Sequence, residues 1–236
     1  MIDIEKLAKL ITENCDWDAF AGLCMDLIND PGFKSRSDNM IVSSIREKSF
    51  SHFCDIPLIY VDKNGRDYEL FGDGCEYKSQ QKIFRDRKPN DKYGELLEKG
   101  IFQKDDTFPI KMRNLMGSKK TDIESFLKQS KETKTCDFYI IHQASFPKFR
   151  IGLVEESEAR KRFYAKGDGV YSDIPKDCIY FLDLPPIVPI SINDYKFDED
   201  FYTKIKLNDL FSTSLEALAQ AKFDIYRKIS SYKKKN

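Results

Sequence analysis

Between residues 3 and 29, apolar side chains recur at helical spacing: Leu7, Leu10, Ile11, Phe20, Leu23, Cys24 and Leu27. The spacing breaks at Asn14-Cys15-Asp16, which predicts two short helices, and Asp30-Pro31-Gly32 stops the second. Ile41, Ile45 and Phe50 extend the helical pattern over about 38–50. The period then changes to two. Ile56 to Val61 alternates as a strand, Asp62-Lys63-Asn64-Gly65 is a turn, and the next fourteen residues, Arg66 to Ser79, read as two more strands joined tightly. A three-stranded antiparallel meander results. From Gln81 to Lys120 the pattern is polar and irregular, with weak helical spacing near 91–99.

Beyond it, Thr121-Asp122-Ile123-Glu124 reads as a capping box opening a helix through about Lys131. Cys136 to Ile141, Arg150 to Val154 and Cys178 to Leu184 read as strands, and Glu156 to Tyr164 as a short helix ended by Gly167-Asp168-Gly169. The prolines 185, 186 and 189 break the pattern. A last helix of about 212–232 carries Leu215, Leu218, Ala219, Ile225 and Ile229 on one stripe, which suits either the core or a dimer seam.

Composition sets bounds on this scheme. A chain of 236 residues, 41% hydrophobic and 13% aromatic, suits one large globular domain over 1–236. The expected division is a core of about 45–185, an N-terminal helical segment 1–50 and the C-terminal helix. No run of 18 apolar residues occurs, so no membrane span is expected. The acidic N-terminus lacks a signal-peptide pattern. Six scattered cysteines without CxxC spacing point to reduced, mostly buried thiols and a cytoplasmic protein. The 39 basic and 39 acidic residues cancel, which argues against a nonspecific nucleic-acid binder. Basic residues nevertheless cluster: Lys111, Arg113, Lys119, Lys120, Lys128, Lys131 and Lys134 in one stretch, Arg160, Lys161, Arg162 and Lys166 in another. Each cluster suits either phosphate contacts or a solvated face.

Chemistry concentrates in the meander. Glu76 and Lys78 share one strand face, and Cys75 and Tyr77 share the other. With Asp73-Gly74 as a two-residue loop, Glu69 faces Lys78, and Asp67 lies on the same face, diagonal to Lys78. Two carboxylates can hold Mg²⁺, which keeps several waters and binds a substrate phosphate. A nearby lysine can orient the attacking water. The same residues also make sense as an ordinary cross-strand ion pair on a solvated face.

This arrangement resembles the PD-(D/E)xK nuclease superfamily, above all its type II restriction endonucleases. Arg66 stands where the motif often has Pro, Asp67 matches the Asp, and Glu76-Tyr77-Lys78 matches the Glu-x-Lys. The separation of nine residues from Asp67 to Glu76 lies at the short end of the family's range. The resemblance covers about 45–185 in element order, and only the Asp…Glu-x-Lys part is motif-specific.

It implies an α/β fold, a restriction-endonuclease-like mixed β-sheet flanked by helices on both faces. Asp67, Glu76 and Lys78 would be catalytic, and Asp67, Glu76 and the Tyr77 carbonyl would hold Mg²⁺. Glu69 is the reserve for the first acid. Glu47, on the 38–50 helix, is a further metal-site acid on the family's pattern, or simply a solvated helix acid. The expected substrate is double-stranded DNA, cut by a homodimer. Arg113, Lys119, Lys120, Arg160 and Arg162 would contact phosphates, and loops 80–92 and 143–149 would read bases. A resolvase or repair nuclease of the same fold, or an inert DNA- or protein-binding domain, are the alternatives.

Other chemistries lack their motifs. No P-loop, GxGxxG or GxSxG is present, and His52 and His142 are the only histidines. His52 and Cys54 are the only near neighbours of ligand type, too few for zinc.

Overall fold

A computed structural model describes residues 3–33, 36–63, 65–79, 107–115, 117–145, 148–167, 169–194 and 215–235. The weak helical spacing near 91–99 and the loop 80–92 lie outside the described residues. The chain divides into two compact units. One holds residues 1–10, 57–143 and 150–183, and the other 11–56, 144–149 and 184–236.

The chain opens with helices α1 (Ile4–Asn14), α2 (Trp17–Asn29) and α3 (Arg36–Ser49). The α1–α2 break falls at Cys15-Asp16 because the Asp16 carboxylate caps α2, accepting from the Ala19 N–H at 3.1 Å. In the second unit α2 and α3 pack against the last helix, α6 (Leu215–Lys233). The aromatic core of this unit sets Phe20 5.2 Å from Phe50 and 5.4 Å from Phe53, centroid to centroid. The stripe of α6 is therefore core: Ala219, Ile225 and Ile229 are buried. One expectation fails here. Cys15 and Cys54 form a disulfide, brought together by a short antiparallel bridge in which the Asp16 N–H donates to the Phe53 carbonyl and the Asp55 N–H to that of Asn14. These backbone bonds join residues distant in sequence, so spacing alone gives no sign of the pair. Cys24, Cys75, Cys136 and Cys178 are free thiols.

The first unit is built on a six-stranded mixed sheet of order β1-β2-β3-β5-β6-β9. Its strands are β1 (Leu58–Lys63), β2 (Arg66–Leu70), β3 (Asp73–Ser79), β5 (Phe138–Ser145), β6 (Lys148–Glu155) and β9 (Tyr180–Phe181). The expected meander β1–β2–β3 is present, and β3 then pairs parallel with β5. A parallel neighbour requires a crossover, and helix α4 (Lys120–Glu132) lies within it. Much of the expected 143–149 loop is strand, since β5 runs to Ser145 and β6 opens at Lys148. The fold class is thus mixed α/β, as expected.

A second sheet, of three strands, departs from the sequence expectation. It joins β4 (Thr107–Asn114), β8 (Gly169–Pro175) and β7 (Phe163–Lys166) in that order. Phe163 and Tyr164, which the spacing assigns to a helix, belong to β7, and helix α5 stops at Glu156–Arg160. The Cys178–Leu184 strand shortens to β9, preceded by a 3₁₀ turn at Lys176–Cys178. Ile110, Met112, Phe163, Val170 and Ile174 of the small sheet, with Phe126 and Leu127 of α4, close over Tyr139 and Ile141 of the large one. Burial of both partners' apolar faces explains why short strands of weak pattern persist. The opposite face of the large sheet carries Tyr68, Leu70, Cys75, Tyr77, Ile140 and His142, all buried.

Candidate active site

The β2–β3 hairpin turns two residues earlier than the Asp-Gly signal suggests. Pairing runs Tyr68↔Cys75, Glu69↔Gly74 and Leu70↔Asp73, so Phe71-Gly72 is the loop. Both loop residues have positive φ, +50° and +91°, as a type I′ turn needs. Gly74 is a glycine for another reason. A Cβ there would stand 2.8 Å from Cδ of Arg66, whose Nε donates to the Thr135 carbonyl at 3.0 Å.

The shift is an even number of residues, so it leaves the faces as expected while changing the partners. Continuing the register places Asp67 directly across from Glu76. The diagonal placement expected for Asp67 is corrected, and no bulge is needed to bring the two acids together. Parallel pairing sets Glu76 beside Tyr139 and Lys78 beside Ile141. Asp67, Glu76 and Lys78 therefore occupy one face. Glu69 shares that face but is held by Lys63 at 3.1 Å and Arg66 at 3.9 Å. Asp73 closes the turn opposite Leu70.

Electrostatics distinguish the three groups. Lys78 and Glu76 form an ion pair, with side chains 16% and 18% exposed. Asp67 Oδ2 accepts from the Tyr77 N–H at 2.6 Å, which fixes the carboxylate against β3. Burial still pushes the Asp67 carboxyl up to about 6, outweighing the Lys78 charge and that hydrogen bond, with Glu76 and Asp62 adding to the rise. A desolvated carboxylate facing another is a site short of positive charge. Among the described residues no group of three or more His, Cys, Asp and Glu side chains converges. Two carboxylates with waters and a phosphate are, however, a common Mg²⁺ donor set, and the Asp67–Glu76 pair fits that chemistry.

Beneath the site, on the opposite face, the Tyr77 hydroxyl and Nδ1 of His142 are hydrogen-bonded, and both residues are buried. This bond links β3 to β5 directly under the Glu-x-Lys. Spacing and motif assign His142 no role. The one signal it offers is its place directly after the apolar run Phe138–Ile141. Asp137 is equally silent in the sequence: its Oδ2 accepts from the Gly74 N–H at 2.7 Å, pinning the start of β3.

Glu76 also lines a cavity of about 200 Å³ roofed by α4 and the small sheet. Met112, Phe126, Phe163 and Val170 supply its apolar wall, and Gln129 and Thr133 are exposed residues of its polar side. The Arg113 guanidinium lies 4.7 Å from the centroid of the Phe126 ring.

The other basic candidates differ in their engagement. Lys119 caps α4, so the capping residue is not Thr121; the Asp122 carboxylate returns to the Lys119 N–H at 3.2 Å. Lys120 is exposed, with Glu124 at 3.9 Å. Arg160 Nε binds Glu156 at 3.0 Å, and its guanidinium donates to the Lys131 carbonyl at 3.3 Å. Arg162 donates to the Glu158 carboxylate at 2.9 Å, and Lys161 and Arg162 together hold that carboxyl down to about 2. Glu47 lies on α3, in the other unit. Comparison with protein families, curated proteins and solved structures finds no match to this chain, so its reading rests on the geometry described above.

Proposed function

We propose that this chain is a Mg²⁺-dependent endonuclease of the PD-(D/E)xK kind, acting on double-stranded DNA. The observation that carries the reading is the register of β2 against β3, which sets Asp67 across from Glu76 with Lys78 two residues further on the same face. The element order supports it: three antiparallel strands, then a crossover that holds β4 and helix α4, then a strand parallel to the third.

Asp67, Glu76 and the Tyr77 carbonyl would hold the cation, and Lys78 would stand beside the attacked phosphate. When bound, the cation polarises the phosphoryl oxygen and lowers the pKa of a coordinated water. The protein's own part is positioning. The Tyr77 N–H locks the Asp67 carboxylate, and the Tyr77–His142 bond holds β3 from below. Lys78 forms an ion pair with Glu76 and would turn to the water or the phosphate where the cation takes up that carboxylate's charge. Arg160 and Arg162 serve carboxylates at 3.0 and 2.9 Å, whereas Lys119 and Lys120 are exposed at the start of α4, with Glu124 3.9 Å from Lys120, and are the stronger phosphate candidates. In its fullest form the reading is a type II restriction endonuclease, a homodimer that cuts both strands of a two-fold symmetric site.

Plasmid cleavage in Mg²⁺ and in EDTA tests it, with Glu76→Ala and Lys78→Ala beside the wild type. Discrete fragments in Mg²⁺ alone, lost in both variants, are expected. Wild-type cutting by either variant refutes the site, and cutting restricted to branched DNA replaces restriction by resolvase activity.

A further inference from the structure

The face of the large sheet that bears Asp67 and Glu76 is covered on one side. Toward β5 the small sheet and α4 close over Tyr139 and Ile141, whereas toward β1 Ile59 and Lys63 are exposed and Glu69 is partly so. A duplex that reaches the carboxylates therefore lies across β1 and β2. Two apolar side chains stand there. Ile59 pairs with Glu69, so it shares the face of the site, and Phe71 follows Asp67 and Glu69 in the alternation of β2 as the diagonal neighbour of Ile59. They are 60% and 62% exposed. The charges beside them are engaged, since Lys63 and Arg66 hold Glu69 at 3.1 and 3.9 Å, so this end of the face offers DNA an apolar contact.

Single apolar residues are ordinary on a surface, but Phe71 carries a second mark. Its φ of +50° is one that a bulky side chain rarely adopts, in a turn where Asn sits without strain. The conformation costs stability while most of the ring stays in water, so packing gives little reason for it. We propose that Phe71, with Ile59 beside it, is an apolar wedge that enters one base step of the duplex from the minor groove and holds the DNA in register with Asp67 and Glu76. Phe and Ile are side chains that part and kink a base step in this way, leaving the bases paired. The inference rests on the nuclease reading and deepens it, since it adds a positioning residue to that site. Its reach is set by the hairpin. Phe71 is four residues from Asp67, about 13 Å at about 3.3 Å per residue, so the kinked step lies within about four base steps of the cut.

Plasmid cleavage first maps the cut, and a duplex of that sequence is made with 2-aminopurine replacing one base at each step around it. An unstacked 2-aminopurine fluoresces more strongly than a stacked one. In Ca²⁺, binding of the wild type should brighten the probe at a step within about four of the cut. Phe71→Asn should lose that signal and weaken binding and cutting by about tenfold. The salt dependence of its binding should stay as in the wild type, because no phosphate contact is removed. Phe71→Leu, which keeps an apolar wedge, should retain the signal. The Asn variant should melt at or above the wild-type temperature, so that lost binding does not come from a damaged turn. Should it melt lower, Ile59→Thr is read instead, for a weaker signal and weaker binding. No brightening at any step, or a Phe71→Asn variant that binds and cuts as the wild type does, overturns the wedge and leaves the nuclease reading standing. A variant that is monomeric where the DNA-free wild type sediments as a dimer also overturns it, and assigns the apolar pair to a seam between copies. A wild type that cuts no DNA overturns the nuclease reading and the wedge with it.

Discussion

Replacing Asp67 by Asn should make the metal-free protein more stable and inactive at once. The Asp67 carboxyl moves from an ordinary 3.8 to about 6 because burial disfavours its charge. Between about pH 4 and pH 6 the native state keeps a proton that the unfolded chain has released, so native stability falls as pH rises through that window and is level above it. A shift of this size corresponds to about 3 kcal/mol at full strength. Partial solvent access and relaxation reduce the expected gain to about 1–2 kcal/mol. Asn removes the charge and keeps an oxygen to accept the Tyr77 N–H, so that hydrogen bond is retained. Urea denaturation of both proteins in EDTA at pH 4, 6 and 8 measures the effect. The Asp67→Asn variant should lead by about 1–2 kcal/mol at pH 8, and the gap should close toward pH 4. Adding Mg²⁺ should reverse the order, since a cation at 100 times its Kd stabilises the wild type by about 2.7 kcal/mol and the variant by less. A variant less stable than wild type at pH 8 in EDTA, or a gap that widens on acidification, would refute the burial argument.

Three further outcomes follow from other parts of the structure. Phe71 is 62% exposed with φ +50°, so Phe71→Asn or Phe71→Gly should stabilise by about 1 kcal/mol in thermal melts, because those residues accept the left-handed conformation more readily. The Cys15–Cys54 disulfide closes a separation of 39 residues, so the Cys15→Ser/Cys54→Ser double variant should lose up to about 4 kcal/mol in denaturation; an unchanged midpoint would mean that the unfolded chain is already compact there. Neutralising Lys119 and Lys120 should flatten the salt dependence of DNA binding in Ca²⁺ by about 0.9 for each phosphate no longer neutralised and leave sequence preference alone, whereas an unchanged slope would make them an ordinary helix cap.

Where residues act through their own periodicity, the fold is legible in the sequence. The break between α1 and α2, the meander, α4 and the face shared by Glu76 and Lys78 all follow from spacing. The turn does not, because Asp73-Gly74 is the stronger local signal, while the fold uses Gly74 to admit the Arg66 side chain and gives the positive φ to Phe71 instead. That is a tertiary contact overriding turn propensity. The small sheet is hidden for a related reason: β7 and β8 are short and gain their stability from packing over Tyr139 and Ile141. The cavity beside Glu76 is illegible too, since it lies between elements that are distant in sequence.

The parallel pairing of β3 with β5 also bears on how the protein is made. Glu76 and Lys78 belong to a hairpin that closes over a few residues, yet their strand is flanked on its far side by Phe138 to His142, some sixty residues later. Loop closure over that distance is slow relative to hairpin formation. During synthesis the acids and the lysine are assembled early, while the wall formed by Tyr139 and the support from His142 arrive only after most of the crossover has left the ribosome. A nascent chain ending before β5 would present the Asp67–Glu76 pair without the cavity or the buried bond beneath it, so competence to cut would be acquired late, as a property of the completed sheet.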